Sequence, residues 1–162
     1  MKTRKANVSD ISLIQSIAEA AWRPTYGEIL SEEQCVYMLD WMYNTQKLEE
    51  QINGNIQFII LENQDSKAIG YASFEKTEDG NGKLHKIYTH PDFKQKGGGS
   101  VLLNEIMNIA HSMNVKVLEL NVNRYNTAVE FYLKKGFIIK EEIDLDVGNG
   151  FFMNDYVMSY EL

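Results

Sequence analysis

Cysteine occurs once, at Cys35, so the chain can form no internal disulfide and carries no spaced set of thiolate metal ligands. A reducing, cytoplasmic setting is the expectation. Only two prolines are present, and no repeat, low-complexity tract or linker-like stretch interrupts the chain. Long apolar runs are missing as well, so no segment can span a bilayer as a helix. Lys2, Arg4 and Lys5 resemble the basic start of a signal peptide. The stretch behind them, however, is broken by Asn7, Ser9, Asp10, Ser12 and Gln15. Positive charge is in short supply, with 16 Lys and Arg against 23 Asp and Glu and a net charge of −7. That balance argues against nucleic acid as a partner, and the missing apolar runs argue against a membrane. What remains is 162 residues, 44% apolar and 24% charged, the profile of one globular domain with a sizeable core.

Charge is unevenly spread. Lys83, His85, Lys86, His90, Lys94 and Lys96 form a basic island containing a single acid, Asp92. Glu28, Glu32, Glu33, Asp40, Glu49 and Glu50 form an acidic segment opposed by Lys47 alone, and the tail from Glu141 is acidic again. Runs of this kind are commonly just solvated faces.

Periodicity divides the chain into alternating elements. Lys2–Ala6 reads as an edge strand. Ser9 is placed to cap a helix with Ile11, Ile14, Ile17, Ala18, Ala21 and Trp22 on one stripe, and Pro24 is expected to stop it. Ser31 and Gln34 have capping-box spacing before a second helix with Val36, Leu39 and Met42 on its apolar face. Thr45 is the expected cap of a third short helix through Ile52. Ile56–Leu61 and Ile69–Phe74 flank the turn residues Asn63 to Ser66 and read as an antiparallel hairpin. Leu84–Thr89, a helix lined by Leu102, Ile106, Ile109 and Met113, and Val115–Val122 have the spacing of a βαβ unit. A short helix over Asn126–Lys135, ended by Gly136, precedes two last strands, Phe137–Ile143 and Phe152–Tyr160. The sum is one α/β domain, 1–162, with a mixed sheet.

The stretch Lys94-Gln95-Lys96-Gly97-Gly98-Gly99-Ser100 stands between that βαβ unit's first strand and its helix. Consecutive glycines are costly to order, so their use here points to close backbone approach or positive φ. The helix behind them offers amides without intrahelical partners and the positive end of its dipole, a ready anion site. The loop therefore reads as a phosphate cradle. No lysine follows the last glycine as a P-loop requires, and three adjacent glycines cannot supply the dinucleotide spacing Gly-x-Gly-x-x-Gly.

Two blocks of the chain resemble the GCN5-related N-acetyltransferases, the GNAT family. The first is Leu84-His85-Lys86-Ile87-Tyr88-Thr89-His90-Pro91 followed by Lys94-Gln95-Lys96-Gly97-Gly98-Gly99, similar to the family strand and its Arg/Gln-x-x-Gly-x-Gly/Ala signature. The second runs from Asn126 through Ala128, Phe131 and Tyr132 to Gly136-Phe137. Lys94 departs from the signature's arginine or glutamine, and sliding the register by one would place Gln95 first. The resemblance covers essentially the whole chain. It implies a mixed, mostly antiparallel central sheet with a βαβ cofactor-binding unit and flanking helices.

The resemblance also implies acetyl-CoA as co-substrate, no metal, and a primary amine as acceptor. Ile87, Tyr88 and Thr89 would pair with the pantetheine arm, and Lys94, Gln95, Lys96, Gly97, Gly98, Gly99 and Ser100 would cradle the pyrophosphate. Asn126 would contact the cofactor or fix its helix start. Tyr132 matches the family tyrosine that donates to the sulfur, since a phenol of pKa ~10 is protonated at neutral pH. Many members take the amine's proton with a glutamate on the strand before the loop; here that strand offers His85, whose ordinary pKa of ~6.5 suits a base. The acceptor side would be built from the acidic segments, with Trp22, Tyr26, Glu28 and Asp155 as candidates. A basic donor half and an acidic acceptor half favour a small cationic acceptor resembling a polyamine. Protein or peptide N-terminal acetylation, and a non-catalytic acetyl-CoA sensor, are the alternatives. GNATs often dimerise, which leaves a homodimer open as a further partner.

Overall fold

A computed structural model of the chain describes residues 1–93 and 97–162 throughout, and only the backbone of 94–96. Seven strands form one sheet in the order β1-β2-β3-β4-β5-β7-β6. They are β1 (Lys2–Lys5), β2 (Gln57–Glu62), β3 (Ala68–Lys76), β4 (Gly82–Thr89), β5 (Val117–Asn123), β6 (Ile138–Gly148) and β7 (Phe151–Glu161). Every neighbouring pair is antiparallel except β4 and β5, which run parallel as the βαβ spacing requires. The helices are α1 (Ile11–Tyr26), α2 (Glu32–Tyr43), α3 (Thr45–Asn53), α4 (Gly98–Ser112) and α5 (Ala128–Lys134).

The sheet separates two cores. On one face Leu102, Leu103, Ile106 and Ala110 of α4 pack on Ile59, Leu61, Phe74, Leu84, Leu118 and Leu120, with Tyr132 and Phe137 completing the layer. On the other, Ile14, Ala18 and Trp22 of α1 and Met38 of α2 pack on Phe58, Ile60 and Tyr71. At ~25 cal/mol per Å² of apolar surface, these two layers supply most of the folding free energy.

Four local expectations are corrected. Ser9 does not cap the first helix: Asn7 accepts from the Ser9 amide at 2.9 Å, and Asp10 reaches back to the Asn7 amide at 2.9 Å, completing a capping box one turn earlier. Pro24 does not end α1, which continues to Tyr26. Near the end of a helix a proline forfeits a single backbone bond, and burial of Trp22 and Tyr26 outweighs that loss. On α2 Cys35, Met38 and Tyr43 are buried and Leu39 and Met42 pack beside them, as expected, while Val36 is exposed. Gln34 is buried on the same side, its amide donating to the Phe152 carbonyl at 2.7 Å. Asn44, not Thr45, caps α3 by accepting from the Lys47 amide.

The feature that makes room for a site lies in β4. Ser73 pairs with Lys86 and Phe74 with Leu84, so His85 is an extra residue without a partner on β3. A bulge of this kind bends the strand. On the other side, pairing between β4 and β5 covers only Gly82–Leu84 against Leu118–Leu120. Beyond that point the strands part, leaving Ile87–Thr89 without a neighbour on the β5 side.

Candidate active site

A cavity of about 370 Å³ opens where β4 and β5 separate. Its walls are Ile87, Tyr88 and Thr89 of β4, Gly97, Gly99 and Ser100 at the start of α4, Asn126 to Ala128, Phe131 and Tyr132 around α5, and Ala21, Pro24 and Thr25 from the end of α1. Thr25 is held there in helical geometry because α1 runs on past its proline.

The glycine stretch is built for close approach. Gly97 has φ +75°, a left-handed conformation that disfavours a side chain, and no side chain caps the helix that follows. Ser100 and Val101 turn their amides to the Gly97 carbonyl at 3.1 and 3.2 Å. Gly98 faces inward: a Cβ there would lie 2.9 Å from Leu61 Cδ2 and 3.1 Å from Thr89 Cγ2, so its bareness lets α4 rest on the sheet. The side chains of Lys94, Gln95 and Lys96, all expected at the pyrophosphate, lie outside the described residues. A helix N-terminus without a side-chain cap beside a splayed strand fits a phosphate-bearing chain with a long polar arm.

A second, smaller cavity of about 50 Å³ continues from the first through the gap in the sheet. Ile87, Tyr88, Asn126, Ala128 and Tyr132 line both, while Tyr26, His85, Lys86 and Asn121 line only the inner one. Tyr132 is 4% exposed and its hydroxyl has no hydrogen-bond partner among the described residues. Burial, with a smaller contribution from nearby Tyr26, raises its pKa well above the phenol range, so it stays protonated. Asn126 serves two ends at once, accepting from the Ala128 amide at 2.9 Å while lining both cavities.

His85 pairs through Nε2 with Glu75 Oε2 at 2.9 Å, and each side chain is 30% exposed. Burial lowers the His85 pKa, and the Glu75 hydrogen bond opposes that fall. Tyr26 holds Tyr88 hydroxyl to hydroxyl at 3.2 Å. Trp22, 1% exposed, supports Tyr26 with ring centroids 4.4 Å apart and does not line either cavity. Glu28 is exposed in the turn after α1 and lines neither. Asp155, on β7 opposite Asn123, also lines neither cavity; it is 6% exposed and its Oδ1 has no partner among the described residues. Burial pushes its pKa up to about 6 against the pull of Asn121, Lys83 and Arg124.

Three residues near this centre have no site role from the sequence. Asn121 is half-buried on the face of β5 opposite Leu118, Leu120 and Val122, where a polar residue fits the alternation and gives no signal. Lys83 donates to Asn121 Oδ1 and Lys86 is 6% exposed. The Lys86 amine lies 5.5 Å from the Tyr43 ring and 5.9 Å from that of Phe58, and burial lowers its pKa to about 8. Both lysines belong to the basic island, so part of that island faces the inner site and not the glycine loop. The division into a basic donor half and an acidic acceptor half is therefore less clean in space than along the chain.

Comparison with known proteins places this geometry. Residues 28–158 match the model of the acetyltransferase (GNAT) domain. A spermidine N(1)-acetyltransferase of Thermoplasma acidophilum is 28% identical over 149 residues, covering 87% of this chain and 90% of that one. The PaiA N-acetyltransferase of the same organism, solved in complex with coenzyme A, superposes with a TM-score of 0.85 at 26% identity, covering 99% of this chain and 98% of that one. A GCN5-related N-acetyltransferase from Rhodopseudomonas palustris shares the fold with a TM-score of 0.85 at 20% identity. Among the described residues no group of side chains could hold a metal ion. The split sheet, the uncapped glycine helix and these likenesses agree: the chain belongs to the GNAT family and is an acetyltransferase that draws its acetyl group from acetyl-CoA.

Proposed function

We propose that the acceptor is a small cationic primary amine of the polyamine kind, approaching the inner cavity from the α1 side of the sheet. The observation that carries this reading is Asp155, a carboxyl 6% exposed whose Oδ1 has no partner among the described residues. A buried carboxylate oxygen left unsatisfied is costly, and although Asp155 lines neither cavity its negative charge favours a cation in the inner one. Its charge also acts on the Tyr26 hydroxyl, which lines the inner cavity. The relative that acts on spermidine supports the same class.

Acetyl-CoA supplies the thioester carbonyl that the amine attacks. The protein's own tasks are then four. The backbone of Ile87–Thr89, free on its β5 side, aligns the donor and offers an amide to the developing oxyanion. His85, on the rim of the inner cavity, accepts the proton that an ammonium of pKa ~10.4 must lose before it can attack. Tyr132, protonated and without a hydrogen-bond partner among the described residues, gives its proton to the departing thiolate. Gly97, Gly98, Gly99 and Ser100 hold the pyrophosphate together with 94–96, and Asn126 fixes the turn beside them.

The test compares kcat/KM for spermidine with that for a neutral amino-acid amide at low and high salt. A cationic acceptor is expected to be preferred by at least ~10-fold, with the preference shrinking as salt screens the Asp155 field. Equal, salt-insensitive rates would remove the reading.

A further inference from the structure

We propose that Glu75 is a positioning residue for this reaction, fixing the tautomer of His85 so that the lone pair sits on Nδ1. The inference rests on the proposed role of His85 and adds a partner that no sequence motif marks.

The geometry has three parts. The bulge leaves His85 unpaired on β3, so its side chain is re-aimed out of the regular alternation of β4. His85 then borders the inner cavity that Tyr132 and Tyr26 also line. Glu75 meets it from β3, with Oε2 2.9 Å from Nε2. An ionised carboxylate can only accept, so Nε2 carries the hydrogen and Nδ1 is left as the acceptor. Glu75 also lines an open surface basin with Thr77, Glu78 and Asp79, so the pair stands between the inner cavity and solvent.

The charges around the imidazole make this partner necessary. Lys83 and Lys86 flank His85 on its own strand and oppose a second positive charge. Tyr26 from α1 and Tyr132 from α5 line the same cavity as neutral phenols, and β5 presents the uncharged Asn121. Glu119 and Asp155 act on Lys83 beside it. Glu75 is the one carboxylate hydrogen-bonded to His85 among the described residues. When one proton moves from the acceptor ammonium to Nδ1, the imidazolium that forms is balanced by Glu75 and discharges to the basin's water. The amine is left neutral, with its lone pair free to attack.

The experiment is a set of variants, Glu75→Gln, Glu75→Asp and His85→Gln, assayed as the full chain. Glu75→Gln should lower kcat/KM for the amine by ~10–100-fold and leave the KM of acetyl-CoA within about twofold. The acidic limb of the pH profile should move to lower pH, because the imidazolium loses its counter-charge. Glu75→Asp should restore part of the rate. Nitrogen NMR of His85 should show the Nε2–H tautomer in the wild-type chain and a mixture in Glu75→Gln. An unmoved pH limb, an unaffected His85→Gln variant, or an Nδ1–H tautomer in the wild type would each overturn the proposal. If the wild-type chain binds acetyl-CoA and acetylates no amine, the acceptor reading fails, and the tautomer measurement still decides whether Glu75 orients His85.

Discussion

The hydroxyls of Tyr26 and Tyr88 lie 3.2 Å apart, tying the last turn of α1 to β4 just past its bulge. That contact joins two elements far apart in the chain at the point where the strands separate. Both phenols are raised above the ordinary range by burial, so the pair stays neutral and acts as a fixed wall of the inner cavity.

Tyr132→Phe should separate chemistry from binding. The ring is packed against Phe131 and Phe137, at centroid distances of 5.2 and 5.5 Å, so removing the hydroxyl leaves the layer intact. Acetyl transfer followed by thiol release should fall by ~10²–10³-fold, while calorimetry finds acetyl-CoA affinity within about twofold of wild type. Retained turnover would exclude Tyr132 as the acid.

Asp155→Asn should trade stability against function. The folded-state pKa, about 6, stands above the ordinary 3.8, so the folded protein binds a proton more tightly than the unfolded chain. Asp155 therefore favours folding most below pH ~4, and that contribution is lost as pH rises through about 6. Near neutral pH the buried carboxylate costs ~1–3 kcal/mol, a penalty that the uncharged amide of the variant would not incur. Denaturant titrations from pH 4 to 7 should show the variant gaining on the wild type across that window. In the same variant the KM for a cationic acceptor should rise.

Arg4 should matter more than an ordinary surface residue. It donates to Asp10 Oδ1 at 2.7 Å and Oδ2 at 2.9 Å and to Glu62 Oε1 at 2.7 Å, linking β1, β2 and the turn into α1. Arg4→Met leaves Asp10 with only the Asn7 amide and Glu62 with only Lys2, and should lower Tm by roughly 2–6 °C. The Arg4 bond holds the Asp10 pKa below its usual value, so this stability is present above pH ~4 and lost as pH falls through the folded pKa. The difference between wild type and variant should therefore vanish in acid.

Gly98→Ala and Gly97→Ala should fail for different reasons. At Gly98 the new methyl meets the Leu61 and Thr89 side-chain ends, so either those ends or the start of α4 must shift, at a cost of about 1–2 kcal/mol. At Gly97 the space is open and the penalty is the left-handed backbone, about 1 kcal/mol. Thermal melts should show both losses, and Gly98→Ala should also weaken acetyl-CoA binding because Thr89 and the helix start both border the larger cavity.

Much of this architecture is legible in one dimension. The hairpin around Asn63–Ser66, the strand–glycine–helix succession and the short helix closed by Gly136 all follow from turn chemistry and apolar period. Helix boundaries are less so. Pro24 carries a local rule, that the residue before a proline leaves the helical region, and the burial of Tyr26 overrides it. On α2 the apolar residues suggest a face through Val36, and packing against the sheet leaves Val36 exposed and buries Cys35 and Met38 beside Leu39 and Met42.

The order of elements, the single uncapped glycine helix and the block containing Tyr132 were determined by the sequence alone, because each rests on interactions within a few residues. Only the tertiary structure decided that His85 is the extra residue of a bulge, that Glu75 meets it, and that Asp155 and Lys86 are buried. Those depend on strand register, and a shift of one residue in pairing sends every side chain to the opposite face. No local pattern in β3, β4 or β7 specifies that alignment; it is set by the packing of both cores at once.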